Sequence, residues 1–232
     1  MSGIAWLQKT DLPSALPPTS RALAEPNGLL AVGGALTPEW LIHAYRHGVF
    51  PWFSAEQPIL WWAPDPRAVL LPGEFRISRS LARSIGKRRY ETRINTAFTA
   101  VIEACAGPRR GMPGTWITRE MNAAYVLLHR RGLAHSFETW RDGRLVGGLY
   151  GVGLGRVFFG ESMFTRETDA SKVALARLVA ECQARNVPLI DCQMPSPHLA
   201  SLGSRNLPRW EFEARLAGLI DSRAPVWREG HT

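Results

Sequence analysis

The sequence predicts an α+β fold: a small N-terminal domain (residues 1–66) packed on a larger domain (residues 67–232) with a mainly antiparallel sheet. Three observations carry this. Pro and Gly are dense over residues 12–34, where no periodicity is sustained, and they give way to long periodic stretches. Those stretches run helix, helix, three strands joined by tight turns, helix, strand. The last helix–strand pair, residues 170–185 and 189–193, has the form of a crossover that returns to a neighbouring strand.

Bulk properties narrow the function. A chain of 232 residues can bury a sizeable core, and 45% hydrophobic residues is ordinary for a soluble globular protein. A formal charge of +8 and a pI near 10.1 point to a polyanionic partner, nucleic acid ahead of a membrane surface. A generally basic surface is the plainer alternative. Three widely spaced cysteines, Cys105, Cys182 and Cys192, form neither a disulfide framework nor a zinc spacing. With no signal-like start and no membrane-length apolar run, the expectation is a cytoplasmic protein without metal or cofactor.

In order, residues 1–34 read as turns and extended pieces. Thr37 caps a helix that has Pro38 at its first position and Glu39 in its first turn; it ends at Gly48. Next come Val49-Phe50-Pro51-Trp52-Phe53 and Ile59-Leu60-Trp61-Trp62-Ala63-Pro64-Asp65-Pro66-Arg67. These aromatics read equally as a wedge between domains or as a platform for stacking a base. From Arg76 to Arg93, seven basic residues face one Glu91, and Arg79, Arg83 and Lys87 fall at helical spacing. A cationic ladder without acids repels itself in water but suits a row of phosphates, so Arg79, Arg83, Lys87, Arg88 and Arg89 are candidate nucleic-acid contacts.

Phe98, Val101, Ile102 and Cys105 predict a helix ending before Gly107-Pro108; residues 109–114 form a loop. A helix after Thr118 buries Met121, Ala124, Tyr125 and Leu128 and closes at Gly132. Residues 135–141, 145–152 and 156–164 form a meander, with Asp142-Gly143 as its first turn and a second near Gly155. A final helix turns Phe212, Leu216, Leu219 and Ile220 inward.

The whole is organised around residues 147–193. Glu161 interrupts a run of Phe, Gly and Met, while Asp191 and Gln193 close an apolar strand with a spacing that puts both on one face. Carboxylates in such places are costly unless paired or used. No Ser-His-Asp or Cys-His set and no ligand cluster accompanies them.

The order of elements resembles the core of the GNAT-type acyltransferases. Those bind the pyrophosphate of coenzyme A at a Gly-rich turn before the helix that follows the meander; here that turn, Thr165-Arg166-Glu167-Thr168-Asp169-Ala170, has two acids and no glycine. Six further motifs are more specific: Glu25–Gly34, Gly48-Val49-Phe50-Pro51-Trp52-Phe53, Trp61-Trp62-Ala63-Pro64-Asp65-Pro66-Arg67, Gly114-Thr115-Trp116-Ile117-Thr118, Gly160-Glu161-Ser162-Met163-Phe164 and Leu189-Ile190-Asp191-Cys192-Gln193. Together they resemble the leucyl/phenylalanyl-tRNA–protein transferase family over residues 25–202.

The resemblance implies transfer of Leu, or Phe and less often Met, from aminoacyl-tRNA to a protein's N-terminal Arg or Lys, making a degradation signal. It implies that Trp52 and Trp116 hold the 3′-terminal adenosine. An aminoacyl ester is already activated, so positioning, proton removal and oxyanion stabilisation suffice, and no covalent enzyme intermediate is required. On this footing Gln193 accepts from the attacking amine, Asp191 orients or polarises it, and Glu161 helps receive the cationic N-terminal residue. The alternative for Asp191 and Gln193 is the plain satisfaction of buried backbone amides. Leu149, Phe158 and Met163, on strands beside Glu161, are candidates for the acyl side-chain pocket or else simple core. The family position expected to be Met is Leu149 here. A coenzyme A-dependent acyltransferase and a non-enzymatic RNA-binding module are the competing function classes.

Overall fold

The computed structural model describes residues 3–86, 89–107 and 117–228. The elements in chain order are β1 Ala5–Leu7, β2 Leu29–Gly33, α1 Pro38–Arg46, β3 Phe50–Pro51, β4 Leu60–Trp62, β5 Arg67–Leu70, α2 Arg79–Gly86, β6 Glu91–Ile94, α3 Phe98–Cys105, α4 Arg119–Arg130, β7 Ala134–Arg141, β8 Arg144–Leu154, β9 Val157–Thr165, α5 Ala170–Ala184, β10 Leu189–Gln193, α6 Pro197–Ser201, β11 Arg205–Leu207 and α7 Arg209–Ala217.

A small sheet, ordered β1-β2-β4-β3, gathers the aromatic N-terminal segments, and a larger one is ordered β11-β5-β10-β9-β8-β7-β6. In the larger sheet only β9 and β10 pair in parallel; every other neighbour is antiparallel. The α+β class with a mainly antiparallel sheet therefore stands. β5, β6 and β11 extend the three-strand meander and its return strand, while β1 and β2 belong to the small sheet.

Local chemistry sets the boundaries. Thr37 Oγ1 accepts from Trp40 N at 3.4 Å, and Pro38 opens α1 where a missing N–H costs nothing. Thr118 Oγ1 does the same for α4, accepting from Met121 N at 3.2 Å. At the first meander turn Asp142 and Gly143 both have positive φ, 50° and 71°, as a two-residue hairpin of twisted strands requires. α3 is capped across space: the buried Glu138 of β7 accepts from Thr96 N and Ala97 N, each at 2.9 Å. The sequence places no capping residue there, and Glu138 supplies the charge that favours a helix N-terminus.

Two hydrophobic layers sandwich the larger sheet. α5 covers one face, burying Leu149, Phe158, Val173, Leu178 and Ile190 with Phe137 and Trp227. The opposite layer joins Tyr150, Val152, Phe159 and Leu189 to α1, α3, α4, α7 and the small sheet through Tyr45, Trp61, Val101, Tyr125 and Phe212. The N-terminal segments thus pack on the second face of the sheet, and the candidate site lies where they meet it.

Candidate active site

The site forms where two parallel strands part. The pairing of β9 with β10 ends at Asp191 opposite Phe159. One residue further, β9 carries a bulge: Gly160 pairs with Gly151 and Ser162 with Tyr150, leaving Glu161 as the extra residue. Gly151 makes room for this, since a Cβ there would stand 2.2 Å from the Phe159 carbonyl oxygen. The bulge also changes the alternation, so Met163 lies opposite Leu149 on the α5 side. β10 has its own irregularity: Asp191 pairs with Val69 but Gln193 with Ala68, and Gln193 sits at φ 62°.

Four side chains converge on this parting. Gln193 Nε2 donates to Glu161 Oε1 at 2.7 Å. The hydroxyls of Tyr45, from α1, and Tyr125, from α4, stand 2.7 and 2.9 Å from Glu161 Oε1 and Oε2, and 2.5 Å from each other. Both hydroxyls donate to the carboxyl group, Tyr45 to Oε1 and Tyr125 to Oε2, and either can instead serve as donor in the contact between them. Burial is the main cause that pushes Glu161 up to about 7; the Asp191 charge adds to it, while the bonds from Tyr45, Tyr125 and Gln193 oppose it. Burial and the nearby Glu161 charge likewise raise both tyrosine hydroxyls well above their ordinary value.

Asp191 lies behind the site. It is 0% exposed, and Arg67 grips it with both prongs: Nε to Oδ1 at 2.8 Å and Nη2 to Oδ2 at 2.7 Å. Its Oδ1 also accepts from Gln193 N at 2.9 Å. The register slips between Asp191 and Gln193, and Asp191 acts on the site in two ways: by holding the Gln193 backbone amide and through its charge on Glu161. Because the Gln193 amide nitrogen is committed to Glu161, its carbonyl oxygen is left as the acceptor.

The remaining sequence-predicted residues divide. Trp52 is 41% exposed at the end of β3, its ring edge-on to Trp62 at 5.7 Å and its carbonyl accepting from Trp62 Nε1 at 2.7 Å. Trp116, Lys87, Arg88 and the loop 109–114 lie outside the described residues. Leu149 and Phe158 are buried, Phe158 within 5.8 Å of the Phe137 ring and 5.4 Å of the Trp227 ring, whereas Met163 is half-buried beside them.

The cationic ladder needs correction. Arg79 and Arg83 are exposed on α2 and make no ion pair with a described residue, but Arg89 pairs with Glu167 at 3.2 Å and Arg93 with Glu91 at 2.7 Å. Glu167 also takes Arg141 at 2.8 Å. Asp169 accepts from Ser84 and Lys172, so both acids before α5 are engaged. Among the described residues no group of three or more potential ligands could hold a metal, and no helix is long and apolar enough to cross a membrane.

Sequence reasoning missed Tyr45, Tyr125 and Arg67 as parts of the site. Arg67 carried a signal, an arginine opening the apolar run Ala68-Val69-Leu70-Leu71, since a buried charge needs a partner. The tyrosines carried none beyond the apolar helix faces they occupy.

A buried carboxyl bonded to two hydroxyls and an amide can hold and move a proton, chemistry that an acyl transfer can use. Family models agree with that class: the leucyl/phenylalanyl-tRNA protein transferase model matches residues 69–217, and the model of that family's N-terminal domain matches residues 34–65. Proteins named leucyl/phenylalanyl-tRNA–protein transferase are similar along nearly the whole chain. The one from Azoarcus sp. (strain BH72) is 60% identical over 92% of this chain and 89% of its own. That from Nitrosospira multiformis is 54% identical over 98% of each. The chain belongs to the leucyl/phenylalanyl-tRNA–protein transferase family, a family of acyltransferases. Two solved structures show a distant similarity. A ribosomal-protein-alanine N-acetyltransferase from Brucella melitensis biovar Abortus gives a TM-score of 0.34 at 15% identity, covering 61% of this chain and 99% of that one. L-PGS from Bacillus licheniformis gives 0.38 at 11%, covering 85% and 65%. Neither likeness carries an argument about chemistry.

Proposed function

We propose that this enzyme moves Leu, and also Phe and less readily Met, from aminoacyl-tRNA to the α-amine of proteins that begin with Arg or Lys. The product is an N-terminal degradation signal, made in the cytoplasm. The observation that carries the chemistry is the fixed Gln193 amide: with Nε2 bonded to Glu161 at 2.7 Å, its carbonyl oxygen is presented to an incoming amine. An α-amine has a pKa near 8 and is partly neutral at working pH. Held against Gln193, it attacks the ester carbonyl; the new C–N bond forms, the C–O bond to ribose breaks, and the amine's proton ends on the ribose hydroxyl.

Glu161 receives the cationic N-terminal side chain, and arrival of that charge favours release of the Glu161 proton. Asp191 orients Gln193 from behind. Leu149, Phe158 and Met163 bound the acyl slot, of which Met163 is the part nearest solvent. Trp52 stacks on the terminal adenosine, with Trp116 as its partner, while Arg79 and Arg83 face tRNA phosphates; Lys87 and Arg88 extend that row and Arg89 is its weakest member, being paired to Glu167. The division at residues 66 and 67 belongs to the same proposal, supported by the small sheet closing at β4.

The test is incubation with leucyl-tRNA and two peptides that differ only in starting with Arg or Ala. The proposal expects the mass of one leucyl residue on the first peptide's N-terminus alone. Leucylation of both, or of neither, overturns it.

A further inference from the structure

The Arg67–Asp191 pair is more than the core needs. A buried ion pair is weak evidence for stability, because well-packed apolar residues of similar volume often serve as well. Yet here an arginine 1% exposed and an aspartate 0% exposed lie on neighbouring strands of the sheet, β5 and β10, 124 positions apart in sequence. The guanidinium carbon stands over two rings, 4.7 Å from the centroid of Phe50 on β3 and 4.7 Å from that of Phe212 on α7. Both the N-terminal unit and the C-terminal helix thus pack against it. Only a planar fork fits both Asp191 oxygens at 2.7–2.8 Å; a lysine would reach one.

What lies downstream gives the pair its purpose. Asp191 Oδ1 accepts from Gln193 N, and Gln193 is where the ladder to β5 slips and φ turns to 62°. A non-glycine residue in that region at the end of a strand persists only when its surroundings hold it there. From the same residue Nε2 reaches Glu161. The chain of contacts thus runs from the Phe50 and Phe212 rings through Arg67, Asp191 and Gln193 to Glu161 without a gap.

We propose that Arg67 is a positioning residue for the transfer reaction: by gripping both oxygens of Asp191 it fixes the bulge at Gln193 and so aims the amide that receives the attacking amine. This rests on the reading of Gln193 given under Proposed function. Removing Arg67 alone would strand a buried carboxylate and endanger the fold, so the informative change removes both charges.

The double variant Arg67→Met/Asp191→Leu and the single variant Arg67→Lys are compared with the intact enzyme in leucyl transfer to an Arg-initiated peptide. The double variant should keep its near-UV circular dichroism and thermal midpoint while kcat falls about 100-fold, with KM for leucyl-tRNA within about twofold. Arg67→Lys, which keeps the charge and loses the fork, should lose about tenfold in kcat. A second readout separates positioning from packing. Glu161 is faced by Tyr45 from α1, by Tyr125 from α4 with Tyr150 5.4 Å behind it, and by Asp191 and Gln193 from β10. Loss of the Asp191 charge should move the acid limb of the kcat profile to lower pH in the double variant and leave it in place in Arg67→Lys.

A folded double variant with kcat within about threefold of the parent overturns the proposal. If the double variant does not fold, parental kcat in Arg67→Lys overturns it instead. The underlying reading fails differently: Gln193→Ala would then keep full kcat, whatever the Arg67 variants do.

Discussion

Replacing Glu161 by Gln tests the electrostatics of the site by a stability measurement that needs no substrate. Glu161 is held at about 7 in the fold, against an ordinary 4.5. A folded-state value above the unfolded one means that the group's contribution is fully present below 4.5 and is lost as pH rises through about 7. At about 1.4 kcal/mol per pKa unit, the native enzyme at pH 8 carries a cost of about 3 kcal/mol for ionising Glu161. Gln cannot ionise, and it reproduces the neutral carboxyl's bonds: its oxygen accepts from Tyr45 and Gln193, and its nitrogen donates to Tyr125. Glu161→Gln should therefore match the parent in urea unfolding at pH 4.5 and exceed it by up to about 3 kcal/mol at pH 8. For a chain of this size that is about 6–12 °C in thermal midpoint. Transfer activity should fall in the same variant. A stability difference that does not change between pH 4.5 and 8, or a variant less stable at pH 8, would refute the reasoning.

Trp52→Ala should weaken use of even a minimal leucyl-adenosine by about 1–3 kcal/mol in kcat/KM, whereas Arg83→Ala should leave that substrate alone and weaken full leucyl-tRNA with a shallower salt dependence. Equal behaviour of the two variants in a parallel titration would contradict this division. Leu149→Ala should cost about 2–5 kcal/mol of stability and raise kcat/KM for Phe relative to Leu; an unchanged ratio in a competition assay removes Leu149 from the acyl slot. Glu138→Ala strands the Thr96 and Ala97 amides at the start of α3 and should destabilise by at least about 2 kcal/mol in denaturant unfolding.

Elements with strong periodicity or clear end signals were legible in the sequence. α1 with Thr37, α4 with Thr118, the Asp142-Gly143 turn and the strand at Leu189–Gln193 all lie where the pattern puts them. Short strands were not. β2 is hidden among Gly and Pro, β5 follows Pro66, and β6 sits in an arginine-rich run whose charge masks its alternation.

At the site, Glu161 and Gln193 announced themselves as polar residues in apolar strands. The bulge that aims Glu161 did not, because register is a property of two strands and neither sequence alone encodes it. The same holds for charge. Arg89 looked unpaired because Glu167 lies 78 positions away, and Asp191 looked available because Arg67 lies 124 positions away. Tyr45 and Tyr125 were legible as buried helix positions, yet nothing local tells that their hydroxyls end on one carboxyl.

The central claim is that the activated ester arrives on tRNA and passes straight to the amine. Enzyme in excess over radiolabelled leucyl-tRNA, mixed with an Arg-initiated peptide and quenched in acid through a single turnover, tests it most directly. Label should pass from tRNA to peptide with none on the enzyme at any time. A leucyl group covalently fixed to the protein, rising before peptide product and decaying into it, would contradict the account.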